Sequence, residues 1–233
     1  MVQGVTFGST SSGSVALGQA GKSVESRLAG SDEPNVSSPC LEDGVAGDAE
    51  PPSRPRFLSA PLGLRLFGDE CLKVPALPVE SLETLDRRVV AVLAREMKKY
   101  AGLGMAAQQV GGTQRVCVAA LSTHGSGKPG APRSTVVLIN PRLLDHAPNT
   151  VVCTQEGCLS VPGFRTSTRR YPWIVVEWEN ERFETQTARV EGLDAQIVQH
   201  EMDHLAGRCI ADGVSRQQRR QAEKLVASAR RQA

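Results

Sequence analysis

No pair of cysteines in this 233-residue chain is spaced as CxxC. The six cysteines stand apart at positions 40, 71, 117, 153, 158 and 209, which argues against a zinc ribbon or a small disulfide scaffold. Most read as reduced, buried, small apolar side chains. Long hydrophobic runs are also lacking. None approaches the roughly 20 residues that span a bilayer, and no hydrophobic h-region near the N-terminus speaks for secretion. Nor does one sign of charge dominate: the formal net charge is +2, which marks no nucleic-acid partner. What remains is ordinary for a soluble globular protein, with 40% hydrophobic and 22% charged residues. The length suits one good-sized domain, or one domain and a tail.

Three regions separate by texture. Residues 1–57 hold "FGSTSSGSVALGQAGKS" and "EDGVAGDAEPPSRPR", with too few large apolar groups to offset their ordering entropy. They are expected to form a disordered extension. The first 24 residues lack Asp and Glu, as a transit peptide would, yet no Arg precedes Arg27. A plain tail on a bacterial-type cytoplasmic protein is therefore expected, with an organelle signal as the alternative. Residues 58–213 have the texture of a folded domain, and 214–233 that of a basic helix.

Within the domain, Leu82, Leu85, Val89, Leu93 and Met97 recur at helical spacing, with Ser81 as the expected N-cap and Gly102 as the stop. "RVCVAA" (115–120), "TVVLIN" (135–140) and "WIVVEW" (173–178) read as strands, and "FETQTARVE" (183–191) as a further one. "GLDAQIVQHEMDHLAG" reads as a helix through Leu193, Ile197 and Leu205. "SRQQRRQAEKLVASARR" reads as another, with six basic residues and one acidic. No βαβ regularity is present. The expected fold is α+β: a mainly antiparallel sheet packed around a central HExxH helix, with N-terminal and C-terminal helices.

The stretch "QHEMDHLAG" (199–207) carries two of the four histidines. Positions i and i+4 share a helix face, so His200 and His204 can address one ion while Glu201 serves as a base. Two core or exposed histidines would give the same spacing. A catalytic metal needs a third ligand and an open position. The metzincin pattern would place His where Ile210 stands. A gluzincin would use a downstream Glu, and Glu223 is at that distance but reads as part of a charged helix face. His124 and His146 sit in loop-like surroundings. Upstream, "EGCLSVPG" offers Cys158 beside Gly157 and before a strand-breaking Pro162. A thiolate with two imidazoles would make a Cys/His/His site. A buried structural cysteine is the alternative.

"GLGMAAQQVG" (102–111) leaves its backbone bare, so an extended peptide could pair with it. Gln109 supplies an amide within it. A helix cap followed by a tight turn is the plainer reading. A phosphate loop is disfavoured, because the stretch follows a helix and lacks the P-loop Lys.

Together the motifs resemble those of the peptide deformylase family, which carries GxGxAAxQxG, EGCLS and QHExDHLxG in this order. Here they stand at 102–111, 156–160 and 199–207, and the resemblance spans about residues 60–212. It implies that Cys158, His200 and His204 are metal ligands and Glu201 the general acid/base. Gln109 and the backbone N–H of Leu159 would form the oxyanion hole. The implied cofactor is one divalent ion, Fe(II) first, with Ni(II), Co(II) or Zn(II) as alternatives. The implied substrate is an N-formylmethionyl peptide or nascent chain, with formate and a free amine as products. Gly102, Leu103, Gly104, Arg165 and Ile197 are the candidates for holding it. The basic last helix could touch the ribosome; neither DNA nor membrane is implied as a partner. Three departures stand out: Gln108 in a variable slot, "RCIAD" after Gly207, and Gln196 beside the expected pocket.

Overall fold

The computed structural model describes residues 62–122, 127–128 and 130–232. The expected disordered extension 1–57 and His124 lie outside the described residues.

Strand β2 (Val116–Ser122) explains why its sequence reads as an unbroken apolar run. Side chains alternate across a strand. Here Val116 and Val118 point into one buried cluster, and Cys117, Ala119 and Leu121 into another. The first cluster is closed by helix α1 (Arg87–Lys99) through Val89, Leu93 and Met97. The second is closed by helix α2 (Gly192–Leu205) through Ala195, Val198, Met202 and Leu205. Helices thus cover both faces of β2.

Around it runs one sheet of five strands: β1 (Gly104–Ala106), β2, β3 (Arg133–His146), β6 (Trp173–Glu179) and β7 (Thr185–Glu191), paired in that order. Every pairing is antiparallel, so the expected α+β architecture with a mainly antiparallel sheet is what is observed. Strand β1 stands at the sheet edge, with β2 as its one strand partner among the described residues.

Two expectations need correction. Helix α1 starts at Arg87, capped by Asp86 and not by Ser81. The Asp86 carboxylate accepts from Arg88 N at 3.0 Å, while Ser81 is engaged in a turn with Thr84. Leu82 and Leu85 still pack in the α1 cluster, which is why the helical period ran ahead of the helix itself. At the other end Gly102 is not the left-handed residue. Ala101 takes that conformation, at φ 52°, and Gly102 N–H closes the Schellman bond to Met97 O at 2.9 Å.

The second correction concerns residues 152–170. They form a separate antiparallel hairpin, β4 (Val152–Cys158) and β5 (Val161–Arg170). Pro162 sits near the start of β5, where it does not break the strand. The alternation was hidden because several inward positions are polar: Glu156, Thr166 and Arg170 are all buried. The last helix, α3 (Arg216–Gln232), packs Ala222 and Val226 with Phe67, Val161 and Phe164 in the cluster under this hairpin.

Candidate metal centre

The hairpin delivers Cys158 from the end of β4, and α2 delivers both histidines from one face. The Cys158 Sγ and ring nitrogens of His200 and His204 all lie within 4.8 Å of one another. Cys158 Sγ is 3.1 Å from His204 Nε2. Metal bonds to sulfur and imidazole run at about 2.0–2.3 Å, so this spacing suits one shared ion. A thiolate and two imidazoles fit a borderline divalent cation such as Fe, Ni, Co or Zn.

His200 is oriented from behind. Its Nδ1 lies 2.9 Å from Glu156 Oε2, which leaves Nε2 as the nitrogen available to a metal. Glu156 is gripped in turn by Arg170, at 2.8 Å and 2.9 Å. Arg170 reaches on to Asp203, and Asp203 to Arg208. Glu156 and Arg170 are buried, so the pair is screened little by water. Although burial works to raise the Glu156 carboxyl, Arg170 and His200 pull it down to about 2. For His200, burial opposes the charged form, but Glu156 and Glu201 outweigh it and hold the pKa above the ordinary value. His204 is driven well below its usual range, first by burial and then by the charge of His200. A low pKa suits a metal ligand, which must be neutral imidazole. The Cys158 thiol is held well above its usual value by the neighbouring Cys209 thiol and by burial; a bound cation reverses that trend by favouring thiolate.

Glu201 is buried, and burial raises its carboxyl to about 7. Its Oε2 has no hydrogen-bond partner among the described residues. A buried carboxylate with one oxygen lacking a protein partner, beside three metal-capable atoms, has the surroundings of a proton-exchanging group. The carboxylate lies against β1 at Gly104, where an added Cβ would come within 2.8 Å of Glu201 Cδ. At Gly102 a Cβ would meet Leu159 Cδ1 at 2.7 Å. Those two glycines thus let α2 and the hairpin close on β1.

Gln109 follows β1 in a short 3-10 turn (Ala107–Val110). Its Oε1 accepts from Ala106 N at 2.8 Å, which aims Nε2 at Ser160 Oγ, 3.2 Å away, and Cys158 Sγ, 3.6 Å away.

A cleft of about 740 Å³ opens beside the centre. Ten of the residues expected from sequence line it: Gly102, Leu103, Gly104, Gln109, Cys158, Leu159, Arg165, Ile197, His200 and Glu201. His204 is buried beneath. Gln196 and Leu193 join the wall from α2, and Tyr100 and Phe164 from elsewhere. The residues weighed as other ligands are not brought here. Glu223 faces Arg219 at 3.4 Å on α3, and His146 stacks on Tyr171. Sequence reasoning missed the Glu156–Arg170–Asp203 support. Glu156 and Asp203 stood in plain view as fixed positions of two motifs, whereas nothing local marks Arg170.

A model of the polypeptide deformylase family matches residues 62–220. A peptide deformylase of Chlorobium phaeobacteroides is 34% identical over 163 residues, covering 70% of this chain and 84% of that protein. The crystal structure of a peptide deformylase from Ehrlichia chaffeensis superposes with a TM-score of 0.65 at 29% identity, covering 74% of this chain and 99% of that one. A class I type b peptide deformylase from Acinetobacter baumannii with Met-Ala-Ser bound superposes with a TM-score of 0.58 at 31% identity, covering 67% and 99%.

Proposed function

The chain belongs to the polypeptide deformylase family, metal-dependent hydrolases of N-formylmethionyl peptides, and we propose that Cys158, His200 and His204 hold its divalent ion while Glu201 moves the proton. The observation that carries this reading is the meeting of those three ligand atoms beside a buried, unpartnered carboxylate oxygen. The ion is proposed as Fe(II), with Ni(II), Co(II) or Zn(II) as the alternatives that the same donors accept.

The cation, once bound, supplies Lewis acidity that polarises a carbonyl and acidifies water. Glu201 accepts a proton from the attacking water and later gives it to the leaving amine, so formate and a free terminus result. The dry surroundings that lift its pKa let one carboxyl serve in both directions. Charge gathers on the formyl oxygen, and Gln109 Nε2 with the Leu159 N–H are proposed to meet it. One such donor is worth about 2.7–4 kcal/mol in the transition state. The edge strand β1 at Gly104, with Gly102 and Leu103 just before it, offers main-chain pairing to an extended peptide. Ile197 offers apolar surface to the first side chain, and Arg165 a charge farther along. The Met-Ala-Ser in the related structure has the size and chemistry of such a product.

Residues 58–213 are proposed as the catalytic domain and 214–233 as an appended helix. On α3, Arg216, Arg220, Lys224 and Arg231 are exposed and make no ion pair among the described residues. They recur on one side of the helix, and we propose them as a contact for ribosomal RNA near the emerging substrate. Phosphate contacts would make that binding weaken as salt rises. Equal ribosome affinity in wild type and a Glu triple variant at 216, 220 and 224 would dismiss it. No helix among the described residues is long and apolar enough to cross a membrane. A bacterial-type cytoplasmic site is proposed, with an organelle as the alternative if 1–57 is a transit peptide.

The decisive experiment is formate release from formyl-Met-Ala-Ser by protein loaded with Ni(II) or prepared anaerobically with Fe(II). Wild type is expected to release formate, and Glu201→Ala to lose about 10²–10⁴-fold in rate with its metal retained. No formate from folded, metal-loaded wild type would overturn the proposal.

A further inference from the structure

Gln196 stands one helical turn before His200 on α2, facing the cleft between Leu193 and Ile197. It is half-buried, and its carboxamide has no hydrogen-bond partner among the described residues. Among the described residues, Gln108 leaves its buried Oε1 without a partner but stands outside the cleft lining, and three other inward-lying amides are engaged at both ends. Gln199 bonds Tyr171 N and O, each at 2.9 Å. Gln109 is held by Ala106 and Ser160. Gln114 bonds Asp86 N at 2.8 Å and Thr84 O at 2.6 Å. Gln196 alone among these points a free donor and a free acceptor into the cleft.

Its position fixes what it could meet. One helical turn is about 5.4 Å, close to the reach of an extended methionine side chain. A first residue whose formyl group lies at the metal ligands therefore has a side chain long enough to reach the Leu193–Gln196–Ile197 wall of the same cleft. Seating a wholly apolar tip there strips water from the amide with no replacement, which costs free energy. A tip that accepts a hydrogen bond offsets that cost. A thioether sulfur is a weak acceptor, and a sulfoxide oxygen is a much better one.

We propose that Gln196 is a specificity residue that reads the tip of the first side chain, donating from its carboxamide to an acceptor there, so that the protein processes formyl-methionine sulfoxide peptides as well as formyl-methionine ones. This rests on the deformylase reading and adds to it a class of oxidised substrate. Leu193 and Ile197 hold the methylene stem, and Gln196 sets the preference at the tip.

The test compares formyl-methionine sulfoxide-Ala-Ser with formyl-norleucine-Ala-Ser on Ni(II)-loaded wild type and Gln196→Leu. Norleucine keeps the shape of methionine but has no acceptor. The sulfoxide-to-norleucine ratio of kcat/KM is expected to fall about tenfold or more in the variant, the scale of leaving one inward acceptor without its partner. Calorimetric binding of the deformylated tripeptides is read in parallel, and the same ratio of Kd values should shift in the same direction. Ratios that are equal in the two proteins, in turnover or in binding, would overturn the proposal. If formyl-Met-Ala-Ser itself is not turned over, the deformylase reading fails. The binding ratios then still decide the role of Gln196.

Discussion

Helices α1 and α2 are nearly the same length and close opposite faces of one strand, β2, yet they are built on different rules. Of the 13 residues of α1, the buried ones are Val89, Leu93, Glu96 and Met97. That is one narrow stripe under a basic outer surface, with Arg95 and Lys99 drawn to the buried Glu96. Of the 14 residues of α2, nine are buried, and four of those are polar: Asp194, Gln199, Glu201 and His204. Three of the four have definite tasks. Asp194 anchors the first turn to Ser122 and Arg133. Gln199 ties the middle to Tyr171. His204 is a candidate ligand. Glu201 keeps one oxygen without a protein partner. A buried polar group must be satisfied or it costs stability. The helix that carries such a group unsatisfied is the one proposed for the chemistry; α1 has the pattern of a scaffold.

The comparison breaks first at His204. His204→Ala is expected to reduce bound metal to background by elemental analysis, and formate release with it, while the purified variant keeps its helical circular dichroism. Retained metal at full stoichiometry would place the ligand set elsewhere.

The matching change on the scaffold helix is Leu93→Ala. Leu93 is fully buried, and its truncation should cost about 2–5 kcal/mol in urea unfolding. Metal content and turnover per folded molecule should stay as in wild type. A loss of turnover at full folding would make α1 more than a scaffold.

A pH test sharpens the contrast within α2. In metal-free protein burial lifts the Glu201 carboxyl from 4.5 to about 7. A raised folded pKa favours the protonated form, so the associated stability is full below the unfolded pKa. It is lost as pH rises through about 7. Glu201→Gln stays neutral throughout. The metal-free variant should therefore match wild type near pH 4 and exceed it by up to roughly 3 kcal/mol at pH 8. Parallel stability profiles would show that Glu201 is better solvated than its burial implies.

The smallest effect is expected behind His200. Glu156→Gln keeps the shape but removes the charge that orients the ring and balances Arg170. Metal affinity should weaken about 10–100-fold in a chelator competition, with the fold retained. Unchanged affinity would mean that packing alone holds the imidazole.

Most of the candidate ligand chemistry was legible because it is local. On a helix, spacing in sequence is spacing in space, so His200, Glu201 and His204 could be placed relative to one another from their positions alone. The strands β2, β3, β6 and β7 were legible for a similar reason: burial on a sheet face leaves alternating or continuous β-branched runs. The start of α1 was misread because Leu82 and Leu85 share its cluster without sharing its helix. The hairpin β4–β5 was missed because ion-paired Glu156 and Arg170 fill positions where an apolar residue would have signalled a strand.

By itself, then, the sequence determined which side chains can bind a metal, the face of α2 that presents two of them, and the apolar strands that hold α2 in place. Only the tertiary structure decided that Cys158 meets His204 across 46 positions of chain, that Arg170 braces Glu156, and that Gly102 and Gly104 admit Leu159 and Glu201 to one cleft. The physical reason is that periodicity reports only which face of an element is buried. The partner it is buried against is chosen by long-range packing and by the pairing of charges removed from water.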